Sequence, residues 1–345
     1  MQVKKKPIIL VLMVTLFVIL ILAYVNNNSF WVGDYKYLFH VFKPESRVGI
    51  VEYRGGENVE IPDKLGILDI DYISREVFDE NSDIKKITIK NNNVDLIEFF
   101  HCVNLETVVI GEGVENCYYD FSVCTNLHNI NICDGVKSID FWLDDCENIE
   151  SLDIPDTVQN IQLHCDGCKK LKSVNLPVSI DRIHSMVFSD CTSLEEVKFP
   201  KTVKEIDLLI LWGTPFEEKH KNDKYYVAGD GCLIFNYANP GVVPNGVKNS
   251  CNEVGQDDHY IYYPDSLKIF DYSDVDYNTH CFGAEEFEKI NIDSKCTIIA
   301  PEGSPMAKYC QENGLNYRPS TPEEEATRKQ KTEAAASEIT YQDNN

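Results

Sequence analysis

Apolar positions recur along this chain with a period of about 22 residues. Cysteine opens five successive repeats, at intervals of 22, 22, 22 and 23 residues. These cysteines are Cys102, Cys124, Cys146, Cys168 and Cys191. Each is followed by apolar residues three, six and eight positions further on, and Asn81 opens an earlier repeat in the same register. Self-similarity at this period indicates a solenoid, in which stacked turns share one core.

Each repeat contains two apolar segments. In the first, inward positions two residues apart, such as Val108 and Ile110, follow the alternation of a strand. The second has the spacing of Val114, Cys117 and Phe121, which directs its apolar residues into the same core from the other side. We therefore predict a β-rich repeat solenoid. One continuous parallel sheet of first strands lines one side, and shorter strands or turns line the other.

The repeats resemble the BspA-like leucine-rich repeats of bacterial and some protist surface proteins. Turns of that family read roughly C-x-x-L-x-x-V-x-I-P-x-x-V-x-x-I-x-x-x-x-F, and the segment from Cys168 to Phe188 follows this pattern. The strong resemblance covers residues 59–212, and Gly213-Thr214-Pro215-Phe216 is similar to the break that commonly follows such a run. The resemblance implies a leucine-rich repeat superhelix at the cell surface that takes part in recognition or adhesion.

An uncharged apolar segment runs from Pro7 to Val25. Its 19 residues suffice for a helix to cross a hydrocarbon core of ~30 Å. Three lysines precede it, so the positive-inside rule puts the N-terminus in the cytoplasm and the repeats outside. A cleaved signal peptide is the alternative, although Ala23-Tyr24-Val25 makes a poor cleavage site. We predict an uncleaved, single-pass transmembrane signal anchor in the cell membrane.

The predicted organisation has seven segments. They are a cytoplasmic stub (1–6), the transmembrane signal anchor (7–25), a juxtamembrane linker (26–45), the leucine-rich repeat array (46–212), an interrupting hairpin (213–245), degenerate repeats with a C-terminal cap (246–320) and a disordered tail (321–345). The hairpin turns at Gly229-Asp230-Gly231, and the cap ends in a helix from Ser304 to Gly314. The tail has no aromatic residue before Tyr341, which favours disorder.

The formal net charge of −24 narrows the choice of partners. A surface this negative repels nucleic acid and anionic lipid, so we predict no nucleic-acid partner. Calcium or a basic protein surface suits this charge better. The predicted partner is an extracellular protein or a glycan, and the membrane is contacted through residues 7–25. Acidity that serves only solubility is the alternative explanation of the charge.

The segment His164-Cys165-Asp166-Gly167-Cys168 most resembles a metal or redox site. The repeat explains it more simply, because Cys165 takes the position of Phe99 in an earlier turn and Cys168 opens its own turn. We predict buried thiols rather than metal ligands; disulfides between stacked cysteines remain an alternative. No cofactor or catalytic motif is predicted, and an enzyme would need its site in the less regular region 213–281.

The outward side chains of the first strands form the predicted ligand-binding face. In the central turns they are small hydrogen-bonding residues, mostly uncharged, although the chain as a whole is acidic. A flat, rigid polar ladder can meet a glycan or an extended peptide with little ordering cost. The predicted contact residues are Thr107, Asn129, Asn131, Ser151, Asp153, Ser173 and Asn175. A purely structural envelope component with an ordinary solvated face is the alternative.

Overall fold

The computed structural model describes residues 29–40, 47–90, 94, 96–238, 241–250, 260–272, 279–283, 286–292 and 296–342. The predicted anchor at residues 7–25 lies outside these ranges. Within the described ranges, no helix is both long and apolar enough to cross a membrane. The chain divides into two compact units. Unit 1 comprises Met1–Val136 and Asp140–Cys146, and unit 2 comprises Lys137–Ile139 and Glu147–Asn345.

Unit 1 is built almost entirely from short strands. Their bounds are β1 Phe30–Val32, β2 Tyr35–His40, β3 Arg47–Tyr53, β4 Asn58–Ile61, β5 Lys64–Leu65, β6 Leu68–Ile73, β7 Lys86–Ile89, β8 Ile97–Glu98, β9 Thr107–Ile110, β10 Asn116–Asp120 and β11 Asn129–Ile132. A 3-10 helix spans Arg75–Val77. The first five-stranded sheet has the order β1-β2-β3-β6-β5, and the first strands of the repeats form a parallel sheet β11-β9-β7-β4. The division between the units runs through β12 (Ser138–Trp142).

Unit 2 contains the remaining strands and three helices. The strands are β13 Ser151–Asp153, β14 Asn160–His164, β15 Ser173–Asn175, β16 Arg182–Val187, β17 Glu196–Lys198, β18 Glu205–Ile210, β19 Tyr225–Ala228, β20 Cys232–Asn236, β21 Asn249–Ser250, β22 Tyr260–Tyr262, β23 Ile269–Tyr272, β24 Thr279–Cys281, β25 Lys289–Ile292, β26 Thr297–Ala300, β27 Tyr317–Pro319 and β28 Ile339–Tyr341. The helices are α1 Pro215–His220, α2 Pro305–Asn313 and α3 Pro322–Ala336.

The parallel pairing of unit 2 continues the two-segment repeat. First strands β13, β15 and β17 form one sheet, and second strands β14, β16 and β18 pair side by side. The C-terminal part adds two further sheets, with the orders β25-β23-β21-β20-β19-β28 and β22-β24-β26-β27. The predicted solenoid of stacked parallel turns is therefore confirmed as the fold of the repeats.

Two details of the predicted solenoid are wrong. The first strands were expected to form one continuous sheet, but they lie in two sheets, β4 to β11 in unit 1 and β13 to β17 in unit 2. The second strands were expected to be the shorter ones, yet β16 and β18 have six residues each, against three in β15. Their outward positions carry apolar residues, for example Val187 and Ile210, which hides the strand alternation in the sequence.

Buried side chains of unit 1 stack from turn to turn. The rings of Phe78 and Phe99 lie 5.1 Å apart, and those of Phe99 and Phe121 lie 5.3 Å apart with an interplanar angle of 4°. These spacings are close to the distance between neighbouring strands of a sheet. Phe78, Phe99 and Phe121 therefore form one aromatic column through three successive turns.

All five recurrent cysteines are buried, and four of them, Cys102, Cys124, Cys146 and Cys191, donate a hydrogen bond from Sγ to a backbone carbonyl. Cys102 Sγ donates to the Phe78 carbonyl oxygen at 3.0 Å, and Cys124 Sγ donates to that of Phe99 at 3.2 Å. The pattern repeats in unit 2, where Cys191 Sγ donates to the Cys165 carbonyl oxygen at 2.9 Å. A small apolar side chain with a weak donor satisfies a buried carbonyl there, which explains why cysteine recurs.

The residue before each recurrent cysteine adopts a left-handed backbone. Gly167 has φ +70°, and the non-glycine residues His101 and Val123 have φ +60° and +63° at the same position of their turns. The Val123 N–H donates to the Asp144 carbonyl oxygen at 2.7 Å, one turn further on. The glycine of the His164–Cys168 segment is thus the residue best suited to a conformation that every repeat requires.

The interrupting hairpin predicted around Gly229-Asp230-Gly231 is present, with β19 antiparallel to β20. Its strands are buried in the interior of a sheet, so it is a core element and not an exposed insertion. The predicted helix of the cap is also confirmed. Ser304 caps α2 by accepting a hydrogen bond from Ala307 N, and Gly314 ends the helix at φ +67°.

The predicted disordered tail is wrong, because residues 321–342 are folded onto unit 2. Thr321 and Glu324 form a capping box at the start of α3. The Arg328 side chain is only 1% exposed, and β28 pairs in parallel with β19. Gln342 then hydrogen-bonds both backbone groups of Phe199, with N–O distances of 3.3 and 3.2 Å. The prediction of disorder relied on the low aromatic content of the tail. In the structure, α3 is held in place by polar and ionic contacts instead.

The predicted juxtamembrane linker at 26–45 is also more ordered than expected. Its described part contains β1 and β2, which pair with each other and with β3. The rings of Phe30 and Tyr37 lie 6.2 Å apart, and Tyr37 is buried. Aromatic residues on one side of the hairpin therefore attach it to the core of unit 1.

Candidate functional site

The outward side chains of the first strands are called the front face. In unit 2, strand register places Ser151 beside Ser173 and Asp153 beside Asn175. Ser151, Asp153 and Asn175 are exposed, and Ser173 is half-buried. Asn175 Nδ2 donates to Asp153 Oδ1 at 2.5 Å. The four predicted contact residues of unit 2 therefore form one patch of hydroxyl, amide and carboxylate groups.

The front face of unit 1 contains the other three predicted contact residues. Thr107 on β9 is half-buried and lies in register with Asn129 on β11, while Asn131 lies beside Val109. Both asparagines are exposed. This part of the front face is less polar, because the apolar side chain of Val109 takes one of its positions.

Charged side chains at the edge of the unit 2 front face are paired between successive turns. Lys169 Nζ lies 2.6 Å from Glu147 Oε1, Lys170 Nζ donates to Asn148 Oδ1 at 2.6 Å, and Lys172 Nζ lies 2.7 Å from Glu150 Oε2. The hydrogen bond from Lys172 holds the pKa of the Glu150 carboxyl below its usual value. The pairs neutralise the edge locally, so the patch of small polar residues is the part open to a ligand.

The four side chains of the patch can form hydrogen bonds, but they show no arrangement suited to breaking a covalent bond. Serine hydroxyls and the Asn175 amide both donate and accept, and the Asp153 carboxylate accepts. These groups recur at steps of ~4.8 Å, the spacing of neighbouring strands. Such an arrangement suits a long ligand with repeated polar groups.

Sequence reasoning missed the outward side chains of the second strands, here called the back face. In unit 2, Leu208 on β18 is 42% exposed, and Trp212, two residues after the end of β18, is 69% exposed. Nearby, Asp207 Oδ2 lies 2.8 Å from Arg182 Nη2 and 3.2 Å from His184 Nδ1. Strand alternation in the sequence does not identify these positions, because counting from the buried Ile206 it would place Leu208 inside, whereas Leu208 is exposed and Leu209 is buried.

The His164–Cys168 segment shows no feature of a metal or redox centre. Cys165 and Cys168 are both fully buried. No disulfide links any of the twelve cysteines in the described ranges, which confirms the prediction of thiols at the recurrent positions; Cys251 lies outside those ranges. The same ranges contain no group of three or more histidine, cysteine, aspartate or glutamate residues placed to hold a metal ion.

Buried thiols in other turns are held protonated. Burial raises the pKa of Cys117 to about 12 and raises that of Cys146 as well. A hydrogen bond with Cys168, followed by burial, raises the pKa of Cys191. Because the thiolate is the nucleophile and the metal ligand, these cysteines are poor candidates for either role.

The two histidines described in the less regular region 213–281, His220 and His280, serve packing. His220 Nδ1 lies 2.6 Å from Asp223 Oδ2, and its ring lies 4.0 Å from that of Tyr226. His280 is fully buried, with Nδ1 3.1 Å from the Tyr263 hydroxyl. A substrate in solution cannot reach a side chain so enclosed.

Several solved structures are similar to this chain. A leucine rich repeat protein of T. pallidum is 19% identical, with a TM-score of 0.42 over 52% of this chain and 86% of that one. A leucine rich cell surface protein from Faecalibacterium prausnitzii A2-165 is 17% identical, with a TM-score of 0.40 over 87% and 97%. A leucine-rich repeat protein from Bacteroides ovatus ATCC 8483 is 17% identical, with a TM-score of 0.37 over 85% and 100%.

No curated protein matches the chain. The family described as BspA type leucine rich repeat region matches residues 57–121 and 97–215, in six copies. These matches cover the turns in which the cysteine, the left-handed residue and the two strands recur. Residues 57–215 of the chain are therefore a BspA-type leucine-rich repeat region.

Proposed function

We propose that this chain is a membrane-anchored cell-surface protein that binds an extended protein or glycan through the front face of its repeats. The observation that carries the proposal is the patch of Ser151, Asp153, Ser173 and Asn175 in unit 2. These side chains are held in register by parallel strands, so a ligand meets them with little loss of conformational freedom. The sequence supports the location, because an uncharged 19-residue segment follows three lysines.

The front face favours a neutral ligand rich in hydrogen-bonding groups. Its only carboxylate among the four patch residues, Asp153, already accepts from Asn175. Each contact with a hydroxyl or amide is weak, but repeated contacts of one long ligand at ~4.8 Å steps add together. A polysaccharide hydroxyl or a peptide backbone amide supplies the matching groups.

Arrays of glycans and of extracellular proteins test this function. The full chain is reconstituted in lipid nanodiscs and applied to both arrays, with empty nanodiscs as the control for lipid binding. We expect a small set of neutral polymers to bind the chain and not the empty discs. Absence of any specific signal on either array would favour the purely structural alternative, a component that spaces or shields other surface proteins.

A further inference from the structure

We propose that the outer side of the N-terminal hairpin, formed by β1 and β2, lies in the head-group layer of the membrane with Trp31 as its buried side chain. This inference rests on the proposed membrane anchor and adds a second contact with the same bilayer. The partner is a phospholipid surface, recognised by an aromatic ring flanked by two cations.

The two sides of the hairpin differ in what they contact. One side carries Phe30 and Tyr37, whose rings lie 6.2 Å apart; Tyr37 is buried, and Tyr35 continues the aromatic contacts to Tyr53 at 5.2 Å. This side is committed to the interior of unit 1. The other side carries Trp31, which lies directly opposite Lys36 in the strand register.

Two basic side chains lie close to the Trp31 ring. The Arg54 guanidinium carbon lies 4.2 Å from the ring centroid, and Lys36 Nζ lies 5.9 Å from it. Arg54 also donates to the Gly33 carbonyl oxygen at 3.2 Å, at the turn of the hairpin. A tryptophan with two cations near its ring suits the boundary between acyl chains and phosphates.

The length of chain before the hairpin keeps it close to the bilayer. The apolar segment ends at Val25, so four residues separate it from Phe30. A fully extended chain covers at most ~3.6 Å per residue, which puts Phe30 within about 18 Å of the hydrocarbon edge. The head-group layer takes up roughly 5–8 Å of that distance. The hairpin therefore has no room to move far from the lipid surface.

The charge of this region also departs from that of the whole chain. Residues 29–54 contain three acidic and four basic residues, whereas the chain carries a net charge of −24. Of the acidic residues in this region, Glu52 pairs with Lys36, and Asp34 lies at the turn of the hairpin. The region that lies nearest the membrane is thus relieved of the negative charge that would repel lipid phosphates.

Depth-dependent quenching of tryptophan fluorescence tests the proposal. The chain has three tryptophans, Trp31, Trp142 and Trp212. The variant W142F/W212F leaves Trp31 alone, and the matched control W31F/W212F leaves Trp142, which is exposed on β12. Both full chains are reconstituted in phosphatidylcholine vesicles with and without brominated acyl chains. We expect bromine to reduce the Trp31 emission at least about twofold and to leave the Trp142 emission unchanged.

Flotation of the same vesicles separates the two proposals. If the chain floats with the vesicles but Trp31 is quenched no more than Trp142, the hairpin inference is overturned and the anchor stands. If the chain does not float, both the anchor and the hairpin contact are overturned. A second comparison needs no double variant. Brominated lipid should quench part of the wild-type emission, and W31F should lose that part.

Discussion

Arg328 donates a hydrogen bond of 2.6 Å to the carbonyl oxygen of Tyr263, a residue 65 positions earlier in the chain. The same guanidinium lies 2.5 Å from Asp265 Oδ1 and 2.6 Å from Glu325 Oε1. A fully buried cation is stable only when its donors are satisfied, and here a carbonyl and two carboxylates satisfy them. This contact makes the C-terminal segment part of the fold of unit 2.

Replacing Arg328 with methionine should therefore destabilise unit 2. We expect R328M to lower the free energy of unfolding by about 2–3 kcal/mol, less than for a fully buried pair because Asp265 is half exposed. The matched control is R318M, which breaks the Arg318–Glu324 pair at the surface and should cost less than ~1 kcal/mol. Urea denaturation measures both. Equal effects of the two changes would show that the C-terminal segment does not depend on Arg328.

The left-handed residue before each recurrent cysteine gives a stabilising substitution. Val123 has φ +63°, which costs a β-branched residue about 1–2 kcal/mol. We expect Val123→Gly to raise the free energy of unfolding by roughly 1 kcal/mol and Gly167→Val to lower it by at least as much. The control is Val109→Gly within β9, which should destabilise the chain because a strand interior does not need glycine. A loss of stability in Val123→Gly, measured by the melting temperature, would contradict this account of the repeat.

The stability of unit 1 should depend on pH through Asp79. Burial, and then the negative charge of Glu98, raise the pKa of Asp79 from 3.8 to about 6. A group with a raised pKa in the folded state stabilises the fold when protonated. Its contribution is fully present below pH 3.8 and is lost as the pH rises through about 6.

Asp79→Asn should therefore stabilise the chain at pH 7 and not at pH 3.5. Allowing for solvent screening, we expect a gain of about 1–2 kcal/mol at pH 7. The control Asp83→Asn, at an exposed site in the next turn, should have little effect at either pH. Denaturant titration at the two values checks this, and a gain of equal size at both would rule out the titration of Asp79 as its cause.

The two cysteines of the His164–Cys168 segment should resist chemical modification in the native chain. Both are fully buried, whereas Cys133 is half-buried. With iodoacetamide at pH 8, mass spectrometry should detect label at Cys133 well before Cys165 or Cys168. The chain unfolded in urea serves as the control in which all three react. Rapid native labelling of the C-x-x-C pair, together with stoichiometric zinc in the purified protein, would restore the metal-site interpretation.

The sequence alone was sufficient to predict the repeat and the residues of its first strands. Val108 and Ile110 alternate with outward residues in β9 as the period-2 rule requires. The length of the second strands was not accessible, because outward apolar residues such as Val187 and Trp142 conceal the alternation. The division into two units could not be predicted from the sequence either, because the cysteine spacing is uniform through Cys124, Cys146 and Cys168.

The C-terminal segment shows a different limit of sequence reasoning. Its composition favours disorder, but the capping box at Thr321 and Glu324 and the single Arg328 were local signals of an ordered helix. Composition measures how much apolar surface a segment can bury. It does not reveal a single buried cation whose hydrogen-bond partners lie 63 and 65 positions earlier in the chain.

Binding by the front face is tested most directly by introducing positive charge into it without disturbing the fold. Asn175→Lys in unit 2 and Asn131→Lys in unit 1 change exposed residues, so each should alter stability by no more than about 0.5 kcal/mol. Asn160→Lys, at an exposed back-face position of unit 2, is the matched control. The affinity of each full chain in nanodiscs for the strongest array ligand is measured by biolayer interferometry, beside its melting temperature. We expect Asn175→Lys to abolish binding at an unchanged melting temperature and Asn160→Lys to bind like the wild type. Wild-type affinity in both Asn175→Lys and Asn131→Lys would contradict the assignment of the front face.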